Sequence, residues 1–273
     1  MNFLSSKNQK PQSQIPIASK MLIVEEFSDV DTGSGKMRIH IWRPKSEDFK
    51  FPALAFFSEI FQVSGPIRRT AADFAGQGYI VGCPEVYHET LAAGTALPYT
   101  PEGTAEGNKL KTEKDLSATD DDAKALISFL KLHPFSTGRV GSLGICYGGG
   151  LAFRCGMLPD VKATCTIYGT DLHKKSLGKG NDDTLDRSKE IKGALCCIWG
   201  RQDPHVPREG RRMIYEALSD ASVNFEWIEL NGVHAFMRDE SSYGRYDPEL
   251  AQLSLGIAFA FYRRNLGGNV MIE

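Results

Sequence analysis

Beyond residue 20 the chain alternates short apolar runs with amphipathic ones in a regular order. Residues 21–25 and 37–42 read as strands joined by a turn at Asp31-Thr32-Gly33-Ser34-Gly35. Residues 52–57 are continuously apolar, as a strand buried on both faces should be. Residues 67–77 read as a helix ended by Gly78, and 79–81 as the strand after it. Residues 115–132 carry Ala118, Ala123, Leu126, Ile127 and Leu130 at helical spacing. Strands follow at 139–143, 163–168, 194–199 and 225–230, with helices at 147–157, 209–218 and 248–266. Repeated strand–helix order predicts an α/β fold: a mostly parallel central sheet with helices on both faces. No shift in pattern divides residues 21–273, so they are expected to form one domain, and the polar residues 1–20 a flexible extension.

Two stretches break the alternation. Residues 88–114 are rich in Gly, Thr, Pro and Glu without a periodic apolar face, and residues 170–192 are likewise polar. Loops beyond the carboxyl ends of parallel strands build the binding crevice of such sheets, so both are candidate pocket walls or lids.

Composition narrows the partners. With 32 basic and 34 acidic residues the formal charge is -2, which offers no global field for nucleic acid or an anionic membrane. No apolar run approaches the roughly 18 residues of a membrane span, and the amino terminus lacks the apolar core of a signal peptide. The six cysteines sit mostly inside apolar runs, which suits reduced thiols of a cytoplasmic protein, and none has zinc-ligand spacing. No cofactor or metal is implied.

The chemistry gathers at Gly144-Ile145-Cys146-Tyr147-Gly148, where a strand runs directly into a helix. This is the setting of a nucleophile elbow, with Cys in place of Ser. A thiol at a helix amino terminus gains from the helix dipole, and the N–H of Tyr147 faces a developing oxyanion. The elbow requires an acid and a histidine further along, in that order. Asp203 follows strand 194–199, and His234 follows strand 225–230. Alone, Asp203 reads as the start of a turn before Pro204, and His234 as a loop histidine. Behind the elbow and in the required order they read as orienter and base. His205 beside the acid is a rival base, expected to point away because it follows Pro204. Tyr168 and Trp199 fit either the pocket or the core.

These residues bring a family into view. The chain resembles the dienelactone hydrolases (carboxymethylenebutenolidases), cysteine members of the α/β-hydrolase superfamily, over roughly residues 21–265. The resemblance rests on Ser58-Glu59-Ile60-Phe61, Pro84-Glu85-Val86-Tyr87, Gly94-Thr95-Ala96-Leu97, the Cys146 elbow with Gly149, Asp203, and His234-Ala235-Phe236-Met237-Arg238. It implies an α/β-hydrolase fold and a hydrolase of small esters or lactones. It also implies that Glu59 contacts the nucleophile and governs its proton, and that the N–H of Ile60 is the second oxyanion donor. Arg238 is implied to bind a substrate carboxylate or to steer Glu59. One departure stands out. The family places a second substrate-binding Arg in the region of 88–114, and here no Arg occurs between Arg69 and Arg139.

Two readings from other classes use the same fold: a pocket-binding protein without turnover, and a redox-sensing thiol protein. The second needs a resolving Cys near Cys146, and Cys155 lies nine residues along the same helix. Gly33-Ser34-Gly35-Lys36 lacks the earlier Gly and the Ser/Thr of a phosphate-binding loop. The expected partner is a small-molecule ester or lactone, with neither nucleic acid nor membrane; the sequence does not give the oligomeric state.

Overall fold

The structure, a computed structural model, describes residues 21–268 and the backbone of 270–271. The extension expected over residues 1–20 lies outside the described residues.

The chain opens with an antiparallel hairpin, β1 (Ile23–Thr32) and β2 (Gly35–Pro44), closed by Gly33 and Ser34 with Thr32 opposite Gly35. Then come β3 (Phe49–Phe57), α1 (Gly65–Gly76), β4 (Ile80–Pro84), α2 (Pro101–Glu113), α3 (Leu116–Leu132) and β5 (Ser136–Ile145). The second half contains α4 (Tyr147–Cys155), β6 (Val161–Ile167), β7 (Ala194–Gly200), α5 (Arg208–Asp220), β8 (Phe225–Leu230) and α6 (Pro248–Leu266). A two-residue strand, β9 (Val270–Met271), pairs antiparallel with the start of β3.

The sheet order is β1-β2-β4-β3-β5-β6-β7-β8. It is parallel from β4 to β8, with the β1–β2 hairpin added antiparallel at one edge. Alternation along β3 shows how both faces are filled. Leu54 and Phe56 pack toward α1 and α6, whereas Ala53, Ala55 and Phe57 pack toward α3 and α4. β7 divides in the same way, with Cys196 and Ile198 on the first face and Leu195, Cys197 and Trp199 against α5 on the second. On the first face Phe74 meets Phe259 and Tyr262 edge-on, at 4.8 and 5.9 Å between ring centres. Burying each such side chain contributes roughly 2 kcal/mol. Among the described residues no helix is long and apolar enough to cross a membrane.

Stretch 88–114 departs from expectation, because half of it is the helix α2. Its buried positions are Gly103, Gly107 and Leu110, spaced four and three apart, so the inward face is mostly glycine and gives no hydrophobic period. The glycines are required by close approach. A Cβ at Gly103 would lie 2.0 Å from the carbonyl oxygen of Pro98, and one at Gly107 would lie 2.7 Å from that of Ile60. The available signal was the start: Thr100 caps the helix by accepting the N–H of Gly103 at 3.2 Å, with Pro101 and Glu102 in the first turn. Stretch 170–192 is a run of turns with one short 3-10 helix at Ser188–Glu190, tied by a bridge from Lys179 to Asp115.

Candidate active site

β5 delivers the chain to Cys146, whose φ of 59° and ψ of -127° lie outside the comfortable region for a residue with a side chain. Glycines on either side permit the bend: a Cβ at Gly144 would lie 1.9 Å from the carbonyl oxygen of Gly148, and one at Gly148 2.1 Å from that of Phe57. Cys146 is held by its own backbone, donating its N–H to Ile167 and accepting from Gly149 and Thr170. Tyr147 then opens α4, where the first N–H groups have no partner within the helix.

Asp203 follows β7 and His234 follows β8. His234 donates Nδ1–H to Asp203 Oδ2 at 2.7 Å, and its Nε2 lies 3.2 Å from Cys146 Sγ. Asp203 also forms the turn before Pro204, because its Oδ1 accepts the N–H of His205 at 2.7 Å. The two readings of Asp203 hold together, one through each oxygen. Burial alone would push the His234 ring toward neutrality. The charge of Cys146 and the hydrogen bond to Asp203 outweigh it and raise the pKa to about 10. Burial pushes the Asp203 carboxyl up, but the bond and charge of His234 hold it below its ordinary value. Tyr168 packs edge-on against His234, with ring centres 5.2 Å apart. Trp199 belongs to the core beneath α5.

His205 does not point away. Its ring lies 4.4 Å from that of His234 and lines the same pocket. The turn made by Asp203 swings it back toward the cavity. Burial and the neighbouring charge of His234 lower its pKa.

Glu59 and Ile60 follow the end of β3, with Glu59 only 2% exposed. The Tyr99 hydroxyl donates to Glu59 Oε2 at 2.9 Å, and Arg238 Nη1 stands 4.0 Å from Oε1. The described contacts of Glu59 are thus with Tyr99 and Arg238, while the thiol is paired with His234. Arg238 lies over the Tyr99 ring at 4.5 Å and near Phe61 at 5.7 Å, with its buried Nε left without a hydrogen-bond partner among the described residues. Among the described hydrogen bonds, no acceptor takes the N–H of Ile60. The bend that follows Ile60 is fixed by Gln62 (φ 62°), whose side chain donates to Thr95 O and accepts the N–H of Tyr87.

These groups open onto a cavity of about 920 Å³. Both stretches wall it: Tyr99 and the α2 residues Thr104, Asn108 and Lys111 from one, Thr170, Asp171 and Lys174 from the other. Tyr243 and Arg245 close it from a third segment, tied across by the Tyr243 hydroxyl donating to Tyr99 O at 3.1 Å. Lys111 pairs with Asp171 at 2.8 Å. Lys174 and Arg245 have no acidic partner among the described residues. Tyr99, Lys174 and Arg245 were not singled out from sequence, because nothing in their local pattern marks them.

The other five cysteines, at 83, 155, 165, 196 and 197, are buried and free. Burial pushes the Cys83 and Cys155 thiols well above their ordinary value. His88, Glu89 and Asp122 approach one another as metal ligands would. The ammonium of Lys114 already stands among them, 2.5 Å from Glu89 and 2.7 Å from Asp122.

The model of the dienelactone hydrolase family matches residues 37–265. A Saccharomyces cerevisiae protein named "Putative carboxymethylenebutenolidase" is 42% identical over 258 residues, covering 90% of this chain and 93% of its own. The carboxymethylenebutenolidase of Pseudomonas putida is 32% identical over 193 residues, covering 70% and 77%. The crystal structure titled "Putative Dienelactone Hydrolase" from Klebsiella pneumoniae superposes with a TM-score of 0.74 at 21% identity, covering 89% of this chain and 99% of that one. The match spans β2 to the end of α6, and with it the strand ends followed by Asp203 and His234: the chain belongs to the dienelactone hydrolase family.

Proposed function

We propose that the protein is a cysteine-dependent hydrolase of small anionic esters or lactones. The observation that carries this reading is the line Asp203–His234–Cys146, with links of 2.7 and 3.2 Å, ending in the large cavity. Cys146 Sγ adds to the substrate carbonyl, and the N–H groups of Ile60 and Tyr147 receive the oxyanion. Collapse expels the alkoxide, which takes its proton from His234 Nε2; in a lactone this oxygen stays tethered to the acyl group. Water, losing a proton to His234, then attacks the thioester, and the thiolate leaves. Asp203 fixes the ring and stabilises its charged form.

Substrate charge follows from the lining. Arg238 is engaged by Glu59 and Tyr99, whereas Lys174 and Arg245 face the cavity without acidic partners among the described residues. In this reading Arg245 supplies the second guanidinium that stretch 88–114 lacks. The name of the Pseudomonas putida relative, carboxymethylenebutenolidase, is that of an enzyme acting on a carboxylated lactone, which agrees with a cationic lining.

The test is a panel of lactones and aryl esters with mass-spectrometric trapping of an acyl group. An adduct on Cys146, and loss of turnover in Cys146→Ala with the fold retained, are expected. Turnover that persists in that variant would refute the nucleophile assignment. No acylation across the panel would favour the binding protein without turnover.

A further inference from the structure

A second recess, of about 290 Å³, lies outside the Cys146 cavity, between the β7–α5 connection, α5 and the edge strand β8. Its floor is Arg211, which is 5% exposed and donates from Nη1 to the carbonyls of Val206 at 2.8 Å and Gly200 at 3.4 Å. Arg201, Arg208 and Arg212 complete the basic lining, and Glu229 is the one carboxylate in it among the described residues.

That carboxylate is shared too widely to satisfy them. Glu229 already accepts Trp227 Nε1–H at 3.1 Å, stands 3.4 Å from Arg211 Nε and 3.9 Å from Arg201 Nε. Among the described residues the buried Nε of Arg211 has no hydrogen-bond partner, because at 3.4 Å the carboxylate is not aligned with it. Arg212 leans outward to Glu216 at 3.6 Å, and Arg208 has no acidic partner among the described residues. Four guanidiniums against Glu229 and Glu216 leave an excess of two positive charges, in a chain whose formal charge is -2. Exposed arginines in water need no partner, but a fixed, buried donor beside them does. Guanidinium forks match the oxygens of a tetrahedral phosphate, and several around one recess suit a ligand with more than one negative charge. Trp227 and Tyr215, whose rings meet at right angles 5.3 Å apart, form the apolar wall.

We infer that this recess binds a compact phosphate-bearing polyanion, such as a diphosphate or a small phosphorylated metabolite. The volume suits that size and excludes a whole dinucleotide lying inside it. Arg211 grips the carbonyls of residues 200 and 206, on either side of Asp203. A ligand held between Arg201 and Arg208, which flank the same loop, therefore braces the stretch that carries the candidate acid.

The test is calorimetric titration of the full chain with inorganic pyrophosphate at fixed ionic strength, beside citrate and vesicles containing phosphorylated inositol lipids. One-to-one pyrophosphate binding is expected, weakened about 10-fold in Arg208→Ala and about 100-fold in the Arg201→Ala, Arg208→Ala pair. Arg245→Ala should leave it unchanged, since that residue lines the other cavity. The inference is overturned by no binding at millimolar pyrophosphate, by binding lost only in Arg245→Ala, by citrate binding as tightly, or by binding confined to vesicles.

Discussion

Tyr99 holds Glu59 in place: its hydroxyl donates to the carboxylate at 2.9 Å while accepting from Ser64 at 2.7 Å, and Arg238 lies over the same ring. Burial, and after it the neighbouring Glu59 carboxylate, raise the Tyr99 pKa well above its ordinary value, so the hydroxyl stays protonated and keeps donating. Tyr99→Phe keeps the ring beneath Arg238 but deletes one charge-assisted hydrogen bond, worth about 1.5–3 kcal/mol. A fall in kcat/KM of about 10-fold is expected from that hydroxyl alone, with a larger fall in Tyr99→Leu. Full activity in the Phe variant would show that Glu59 needs no such hold.

The pH dependence of His234 follows from its two partners. With a pKa raised to about 10, the ring keeps its proton through neutral pH and loses it as pH rises through that value. In the proposed mechanism the proton given to the leaving group disappears with it, so kcat is expected to fall on the alkaline side. In Cys146→Ala the charge that raises the pKa is gone while the burial that lowers it remains. Ring resonances followed by nuclear magnetic resonance should then titrate at a distinctly lower pH than in the unaltered protein. Identical titrations would mean that no thiolate–imidazolium pair exists.

The backbone contact between Gly107 and Ile60 gives a test in which helix propensity and packing oppose one another. On propensity alone, Gly→Ala in a helix gains about 1 kcal/mol. Here the added carbon would stand 2.7 Å from Ile60 O and 3.1 Å from Ile60 Cβ. Gly107→Ala should lower Tm and, by shifting the Ile60 N–H, reduce kcat more than it raises KM. A rise in Tm with unchanged kcat would show that α2 yields without disturbing that donor.

How much of this was legible follows from what each element presents. The β/α alternation, the elbow, Asp203 and His234 stood out because buried strands and glycine turns leave periodic or local marks. β1 continues seven residues past the predicted end of its strand, because it is an edge strand whose positions are only exposed or half-buried. α2 was missed because glycine, not leucine, forms its buried face. Arg245 was missed because its position depends on a fold-back from Asp239 and Glu240, anchored on Arg69, to Tyr243. That is a relationship between distant segments, which no local pattern records.

Arg245 and Arg238 should separate under substitution. Arg245→Ala is expected to raise KM about 10-fold for a carboxylated ester and to leave its neutral methyl ester nearly unchanged. Arg238→Ala should also weaken the carboxylated substrate more than the neutral one. Equal losses for the two substrates would instead mark Arg238 as acting through Glu59. Steady-state kinetics on the matched pair decides both.

The glycine face of α2 separates two kinds of inheritance in this molecule. That helix meets the Ile60 segment through backbone and small atoms, so its outward side chains, Thr104, Asn108 and Lys111, answer to the cavity more than to the core. Under the proposed function, drift at those three positions would retune which acyl groups are admitted, while the residues around Cys146 remain as they are. Descendants of this chain can thus diversify in diet without first having to reinvent their chemistry.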